Sequence, residues 1–266
     1  MRALIIGGTA EARDLAARMT SLGWSVTTSL PSDRPDQRLP VAAIHMGGFG
    51  GPAGLAKWLL ADATEVVIDA SDPFDERISI TAIEAARAID IPLVWLETPR
   101  WTDAARFGGR SNRNAKGAQW QFVDDLAGAA ELVADRYHAP LLSLPAHFLS
   151  DFAYDDNRRY LIRTDSHLPK AQLPEQAKVL VENVGSVEQE RKLLRDYAID
   201  SIVLRNTGRF EEEPLLHAAA DLNKPVILVR QPQYSLPRGT IHCKTTVNVI
   251  NVLRKTSLFG WRKYKF

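Results

Sequence analysis

Cysteine is almost absent from this sequence. The one present, Cys243 among 266 residues, excludes an internal disulfide and a cysteine-based metal site. Charge of one sign is equally lacking: 33 Lys and Arg face 32 Asp and Glu, a formal net charge of +1 that gives no reason to expect a nucleic-acid partner. No apolar run approaches the roughly 20 residues that a membrane-crossing helix needs, so no membrane role is expected. Met1 leads straight into an apolar segment, which leaves no room for a signal peptide, and the expected location is the cytoplasm. The six histidines, His45, His138, His147, His167, His217 and His242, show neither HxH nor HxxxH spacing, which argues against a metal centre. There is no G-x-S-x-G elbow and no G-x-x-x-x-G-K-[ST] loop, which weakens hydrolase and nucleotide-hydrolysing readings. The remainder is ordinary for a globular protein, 45% apolar and 24% charged, of a length that suits one large domain or two small ones.

What the chain does have is glycine in unusual places. Gly47-Gly48-Phe49-Gly50-Gly51 puts four glycines around one aromatic, after an apolar stretch at residues 41–44 and before a helical pattern at residues 53–60. Glycine loses the most backbone entropy on ordering, so such a run marks main chain that takes positive φ or comes close to a ligand. A second glycine turn comes earlier. The apolar strand at residues 1–6 runs into Gly7-Gly8-Thr9, and helical spacing follows with Ala12, Leu15, Ala16, Met19 and Leu22 on one face. Strand, glycine turn and helix is the opening of dinucleotide-binding α/β domains, where free N–H groups and the positive end of the helix dipole attract a pyrophosphate. The match to G-x-G-x-x-G is partial: a third glycine is missing and Glu11 stands at the helix start. A tight structural turn is the competing reading. Arg34 follows the second strand, where an arginine suits the 2′-phosphate of NADP; a solvated loop arginine would look the same.

Strands and helices alternate along the chain, which predicts an α/β protein of two Rossmann-like domains with mainly parallel sheets and a cleft between them. The first domain is expected over residues 1–97, with further strands at 24–30, 66–70 and 92–96 and a helix through Ala82, Ala85, Ala86 and Ala88. The second is expected over residues 98–253. It opens with a polar loop to residue 118, followed by strands at 120–123, 141–144, 160–163, 178–181, 201–205 and 225–229 and helices at 124–135, 187–197 and 214–222. Residues 254–266 form a basic, aromatic tail that either meets an anionic surface or packs on protein. Ligand loops are expected at the carboxyl ends of the strands, at residues 7–12, 29–34, 47–51, 71–77 and 206–209. Asp69, Asp72, Asp75 and Glu76 cluster at one of these ends, as ligand contacts, proton donors or helix caps.

Taken together, these loops resemble the precorrin-6A reductases of cobalamin biosynthesis. The resemblance is carried by Leu4-Ile5-Ile6-Gly7-Gly8-Thr9-Ala10-Glu11-Ala12-Arg13, Val26-Thr27-Thr28-Ser29-Leu30, the glycine loop with Gly54-Leu55, and Val67-Ile68-Asp69-Ala70-Ser71-Asp72-Pro73-Phe74. It continues through Arg77-Ile78-Ser79, Trp101, Trp120 and the Asn206-Thr207-Gly208 turn, covering most of the chain to about Leu253. The order GGT-x-EA, GGFGG, DA-x-x-PF makes it specific. It implies two Rossmann-like domains that bring NADPH to a macrocyclic tetrapyrrole, and hydride transfer to precorrin-6A to give precorrin-6B.

On that resemblance the cofactor contacts are Gly7, Gly8, Thr9, Glu11, Ser29, Leu30, Arg34, Gly48, Phe49 and Gly50. The substrate contacts are Ser71, Asp72, Arg77, Arg205, Asn206, Thr207 and Arg209, the arginines answering the substrate's carboxylates; Arg163 is a further candidate. No proton donor is singled out, no metal is expected, and neighbouring corrin-pathway enzymes are candidate partners. The chain departs from the family where D-A-T-H-P-F-A becomes Asp69-Ala70-Ser71-Asp72-Pro73-Phe74-Asp75 and where K-N-S-G-G becomes Arg205-Asn206-Thr207-Gly208-Arg209. Leu144-Pro145-Ala146-His147 also replaces a T-G-R-like turn. A reductase of the same fold with another substrate, or a non-catalytic nucleotide- or tetrapyrrole-binding relative, therefore stays open.

Overall fold

The structure, a computed structural model, describes residues 1–30, 39–102, 107, 119–153, 155, 157–169 and 173–259. The chain divides into two compact units, one made of Met1–Pro99 with Pro232–Phe266 and the other of Arg100–Gln231.

In the first unit the order is β1 (Arg2–Ile6), α1 (Ala10–Ser21), β2 (Ser25–Leu30), β3 (Ala43–Met46), α2 (Gly51–Ala61), β4 (Val66–Asp69), α3 (Glu76–Ala88) and β5 (Leu93–Leu96). The second unit contributes β6 (Trp120–Val123), α4 (Leu126–Arg136), β7 (Pro140–Ser143), β8 (Leu161–Thr164), β9 (Lys178–Val181), α5 (Val187–Asp196), β10 (Ser201–Arg205), α6 (Glu213–Asp221) and β11 (Val226–Val229). The chain then returns to the first unit with β12 (Ile241–Cys243) and α7 (Thr246–Phe259).

All strand pairs are parallel, and the first sheet has the order β12-β5-β4-β1-β2-β3. This is the doubly wound Rossmann arrangement, with the strand order reversing between β1 and β4. Both faces are covered, which is why its strands read as continuous apolar runs rather than alternating ones. Leu4, Ile6, Val67 and Leu93 pack with Leu55 and Leu59 of α2 and Ala82, Ala85 and Ala86 of α3. Their neighbours in sequence, Ala3, Ile5, Val66, Ile68 and Val94, pack on the opposite face with Leu15 and Met19 of α1 and Val249 and Leu253 of α7. The second sheet has the order β6-β11-β10-β7-β8-β9 and reverses between β7 and β10. Leu141, Leu161, Ile202 and Leu228 pack there against Leu194 of α5 and Leu215 and Leu216 of α6. Two mainly parallel α/β sheets are the fold that the alternation predicts.

Three boundaries differ from the sequence expectation. Residues 232–253 do not belong to the second domain: Ile241 and Cys243 of β12 pair with Val94 and Leu96 at the edge of the first sheet, and Glu97 N–H bonds the Cys243 carbonyl at 2.8 Å. The basic tail does not begin at residue 254, because α7 continues to Phe259; residues 260–266 lie outside the described residues. The strand expected at 41–44 starts two residues later, with Val41 71% exposed and Met46 registered against Leu30. Leu22, expected on the buried face of α1, is the C-cap of that helix and is exposed.

Candidate functional site

The reversal between β1 and β4 opens a crevice at the carboxyl ends of the strands, the place where doubly wound sheets bind ligands. The Gly7-Gly8-Thr9 turn lies at this point. Thr9 is the N-cap of α1: its Oγ1 accepts the Ala12 N–H at 3.1 Å and donates to the Ala70 carbonyl at 2.7 Å. One hydroxyl thus fixes the helix start and ties it to the segment leaving β4. The first N–H groups of α1, on Ala10 and Glu11, have no acceptor within the helix and are available to an anion. Glu11 is half-buried in this first turn.

The glycines in these loops are of two kinds. Gly7 is needed for packing: a Cβ there would stand 2.5 Å from Thr28 Cγ2, and its N–H bonds the Ser29 carbonyl at 2.9 Å. Gly54 likewise lets the Phe49 carbonyl approach to 1.8 Å from where a Cβ would be. Around Gly8, Gly48 and Gly50, by contrast, a Cβ would meet nothing within 4 Å. Gly50 is the left-handed N-cap of α2, at φ 82°, a conformation strained for any residue with a side chain. These open glycines present bare main chain.

Phe49 is anchored beneath this loop. Its ring stacks on His45 with centroids 4.0 Å apart and planes 8° from parallel, and Trp58 of α2 meets both rings edge-on. The ends of β2 and β3 are tied together by the Gly47 N–H, which bonds the Leu30 carbonyl at 2.9 Å. Ser29 and Leu30 are buried, and their carbonyls are engaged by the two glycine loops. The expected cofactor residues Gly7, Gly8, Thr9, Glu11, Ser29, Leu30, Gly48, Phe49 and Gly50 are thus gathered at adjacent strand ends. Arg34 lies outside the described residues.

The loop after β4 is built on Asp69. Its Oδ1 accepts the Ser71 N–H at 3.1 Å and the Ser71 hydroxyl at 2.7 Å, and Ser79 Oγ lies 3.3 Å from Ser71 Oγ. Asp69 is 3% exposed, and its Oδ2 has no hydrogen-bond partner among the described residues. Burial raises the carboxyl above its ordinary pKa, opposed by the hydrogen bonds of Ser71 and Ser79. Asp72 Oδ1 accepts the Phe74 N–H at 3.0 Å, an Asx turn within the loop. Asp75 occupies the N-cap position of α3 without a side-chain capping bond, so side-chain capping, offered by the sequence for this cluster, is absent there. Ser71, expected as a substrate contact, spends its hydroxyl on Asp69, whereas Arg77 is exposed on the first turn of α3.

In the second unit the reversal point is flanked by the ends of β7 and β10. Arg205 is 5% exposed, with its guanidinium 4.6 Å over the Phe148 ring. Asn206 has both ends of its carboxamide occupied: Oδ1 accepts the Trp101 N–H at 2.8 Å and Nδ2 donates to the Trp101 carbonyl at 2.9 Å. Thr207 is fully buried, donates to Glu212 at 2.5 Å and accepts the Arg209 N–H at 3.3 Å. These side chains shape the turn; only Arg209 of the four expected contacts is half-exposed. Arg163 is buried in an ion pair with Glu190 at 2.9 Å, facing α5.

A family model described as precorrin-6x reductase CbiJ/CobK matches residues 2–254. The chain belongs to this family. It is 35% identical over 240 residues to a precorrin-6A reductase of Rhodococcus erythropolis, covering 90% of this chain and 92% of that protein. It is 30% identical over 253 residues to one from Rhodobacter capsulatus, with 95% of each chain covered. A solved structure described as CobK precorrin-6A reductase superposes with a TM-score of 0.83 at 28% identity, covering 96% of both chains. Family membership implies a reducing cofactor, and the open main chain at Gly8, Gly48 and Gly50, beside the starts of α1 and α2, fits the phosphates of a dinucleotide. Among the described residues no cluster of His, Cys, Asp and Glu could hold a metal ion, and no helix is long and apolar enough to cross a membrane.

Proposed function

We propose that this protein reduces precorrin-6A to precorrin-6B with NADPH as the reductant, in the cytoplasm, as a step of cobalamin biosynthesis. The observation that carries the reading is the set of open glycines at the carboxyl ends of the first sheet, Gly8 after β1 at the β1–β4 reversal and Gly48 and Gly50 after β3, in a chain belonging to the precorrin-6x reductases. When bound, NADPH would supply the hydride, and a proton from solvent would complete saturation of one double bond of the macrocycle. The chain's own residues bind and orient. The Gly7-Gly8-Thr9 turn and the N-terminus of α1 receive the pyrophosphate, Arg34 meets the 2′-phosphate, and the Gly48-Phe49-Gly50 loop closes on the nucleotide. Arg77 and Arg209 provide positive charge for a substrate rich in carboxylates.

The direct test is loss of NADPH absorbance on addition of precorrin-6A, with precorrin-6B identified as product. Fluorescence titration should give tighter binding of NADPH than of NADH. Arg34→Ala should remove that preference, by about 1–3 kcal/mol for a charged hydrogen-bonding contact; equal affinities in the unaltered protein would undo the assignment to the 2′-phosphate. One observation favours a second reading. The loop after β4 holds Asp72 and Asp75 beside the buried Asp69, an acidic setting for a polyanionic macrocycle. NADPH oxidation with a different acceptor, and none with precorrin-6A, would mark a divergent reductase of this fold.

A further inference from the structure

The segment that brings the chain back to β12 passes the loop after β4. There the Tyr234 hydroxyl donates to the carbonyl of Pro73. Its ring lies 5.2 Å from that of Trp95, at an interplanar angle of 56°. Trp95 is the residue of β5 registered against Asp69, so Tyr234 sits at the carboxyl ends of β4 and β5, one strand from the glycine turn. Within the loop Asp69 holds Ser71 and Asp72 holds the Phe74 N–H, and at its start Thr9, at the N-cap of α1, holds the Ala70 carbonyl. Tyr234 is 161 residues distant from Pro73 in sequence and holds the loop from outside.

We propose that Tyr234 is a positioning residue for the reaction, fixing residues 71–74 in the shape that the bound ligands meet. This inference rests on the reading of the site given above. Pro73 has no N–H, so the loop cannot be secured at that residue by a backbone donor of its own. The Pro73 carbonyl is what remains to hold, and a phenol reaches it. Burial and the charges of Glu76, Asp69, Asp72 and Asp75 hold the Tyr234 phenol well above its ordinary pKa, so it keeps its proton and stays a donor. A displacement of about 1 Å near reacting groups can cost on the order of 100-fold in rate, which gives one such hydrogen bond its leverage.

The test is Tyr234→Phe, which keeps the ring on Trp95 and removes the donor alone. Hydrogen exchange of the backbone amides of residues 71, 72, 74 and 75 should speed several-fold in the ligand-free protein. With precorrin-6A, kcat should fall about 10- to 100-fold while KM for NADPH stays within about threefold. A purely structural role would lower the melting temperature and leave kcat per folded molecule unchanged, and that result overturns the inference. Unaltered exchange in the loop also overturns it, whatever the turnover. Should the unaltered protein leave precorrin-6A unreduced, the proposed function fails separately, and loop exchange alone decides the part of Tyr234.

Discussion

Adding one methyl group to either of two glycines near Phe49 should separate binding from stability. At Gly54 an alanine Cβ would lie 1.8 Å from the Phe49 carbonyl oxygen, which must retreat to at least 3.0 Å. That oxygen is backbone, in a loop held by the stack of Phe49 on His45, so it has little room to yield. Alanine gains about 1 kcal/mol of helix propensity over glycine, while forced overpacking costs about 1–3 kcal/mol and more where main chain must move. The net expectation for Gly54→Ala is a loss of about 1–2 kcal/mol, read as a fall of roughly 2–8 °C in melting temperature. At Gly48 a Cβ meets nothing within 4 Å and φ is not positive. Gly48→Ala should therefore fold as well as the unaltered protein or better, by up to about 1 kcal/mol from reduced freedom of the unfolded chain. Its methyl group occupies the space assigned to the nucleotide, so NADPH affinity should drop by about 1–3 kcal/mol, roughly 30-fold at the middle of that range. Thermal unfolding followed by circular dichroism and NADPH fluorescence titration read the two effects. Unchanged NADPH binding by Gly48→Ala would remove this loop from the site, and an unshifted melting temperature for Gly54→Ala would refute the packing argument.

Two other substitutions test buried charge. Burial raises the Asp69 carboxyl in the folded state above the unfolded reference of 3.8, so its contribution to stability is fully present below that pH and is lost as pH rises through the folded-state pKa. Asp69→Asn keeps an acceptor for Ser71 and cannot titrate, so it should gain on the unaltered protein from about pH 4 upward, by about 1.4 kcal/mol for each pKa unit of elevation; a melting-temperature difference independent of pH would show that Asp69 is not elevated. Glu190→Gln keeps an acceptor for the Gly185 N–H and for Arg163 but strips the charge facing a guanidinium that is 3% exposed and whose Nε and Nη1 have no partner among the described residues. Urea titration should show a loss of about 3–5 kcal/mol, largely recovered when Arg163→Met is added; a single variant within 1 kcal/mol of the unaltered protein would mean that the pair carries no net burden.

The sheets were legible because burial on both faces writes itself into consecutive residues. Leu4, Ile5 and Ile6 are all buried, as are Val66, Val67 and Ile68, and no helix or one-sided strand yields that pattern so compactly. β12 fails the same test. It has three residues, and His242 between the buried Ile241 and Cys243 faces solvent, so nothing in its letters outweighs the turn-like stretch before it. Its place is decided by a vacant edge beside β5, which is a property of the sheet and not of the segment. The domain boundary was misplaced for that reason. Chain order had to stand in for spatial order, and here the last strand of the first sheet is supplied after the whole of the second.

The candidate site divides along a similar line. Strand ends and glycine turns placed Gly7, Gly8 and Thr9 at the reversal point and Gly48 and Gly50 at the end of β3, because topology alone puts strand ends where a ligand can reach. What each residue does there depends on partners far away in sequence. Gly7 and Gly8 are adjacent and read identically, yet one packs on Thr28 and the other faces open space. Asn206 looks like a ligand contact until its carboxamide is found closed on Trp101, 105 residues earlier. Tyr234 gave no signal, since it lies in an aperiodic stretch and acts through a carbonyl 161 residues back. A family motif therefore fixes where the loop stands, while long-range hydrogen bonds decide which of its atoms remain for a ligand. In the second unit that sorting leaves Arg209 more accessible than Asn206 or Thr207, which makes its replacement the one in that turn whose effect on macrocycle binding tests the substrate side most directly.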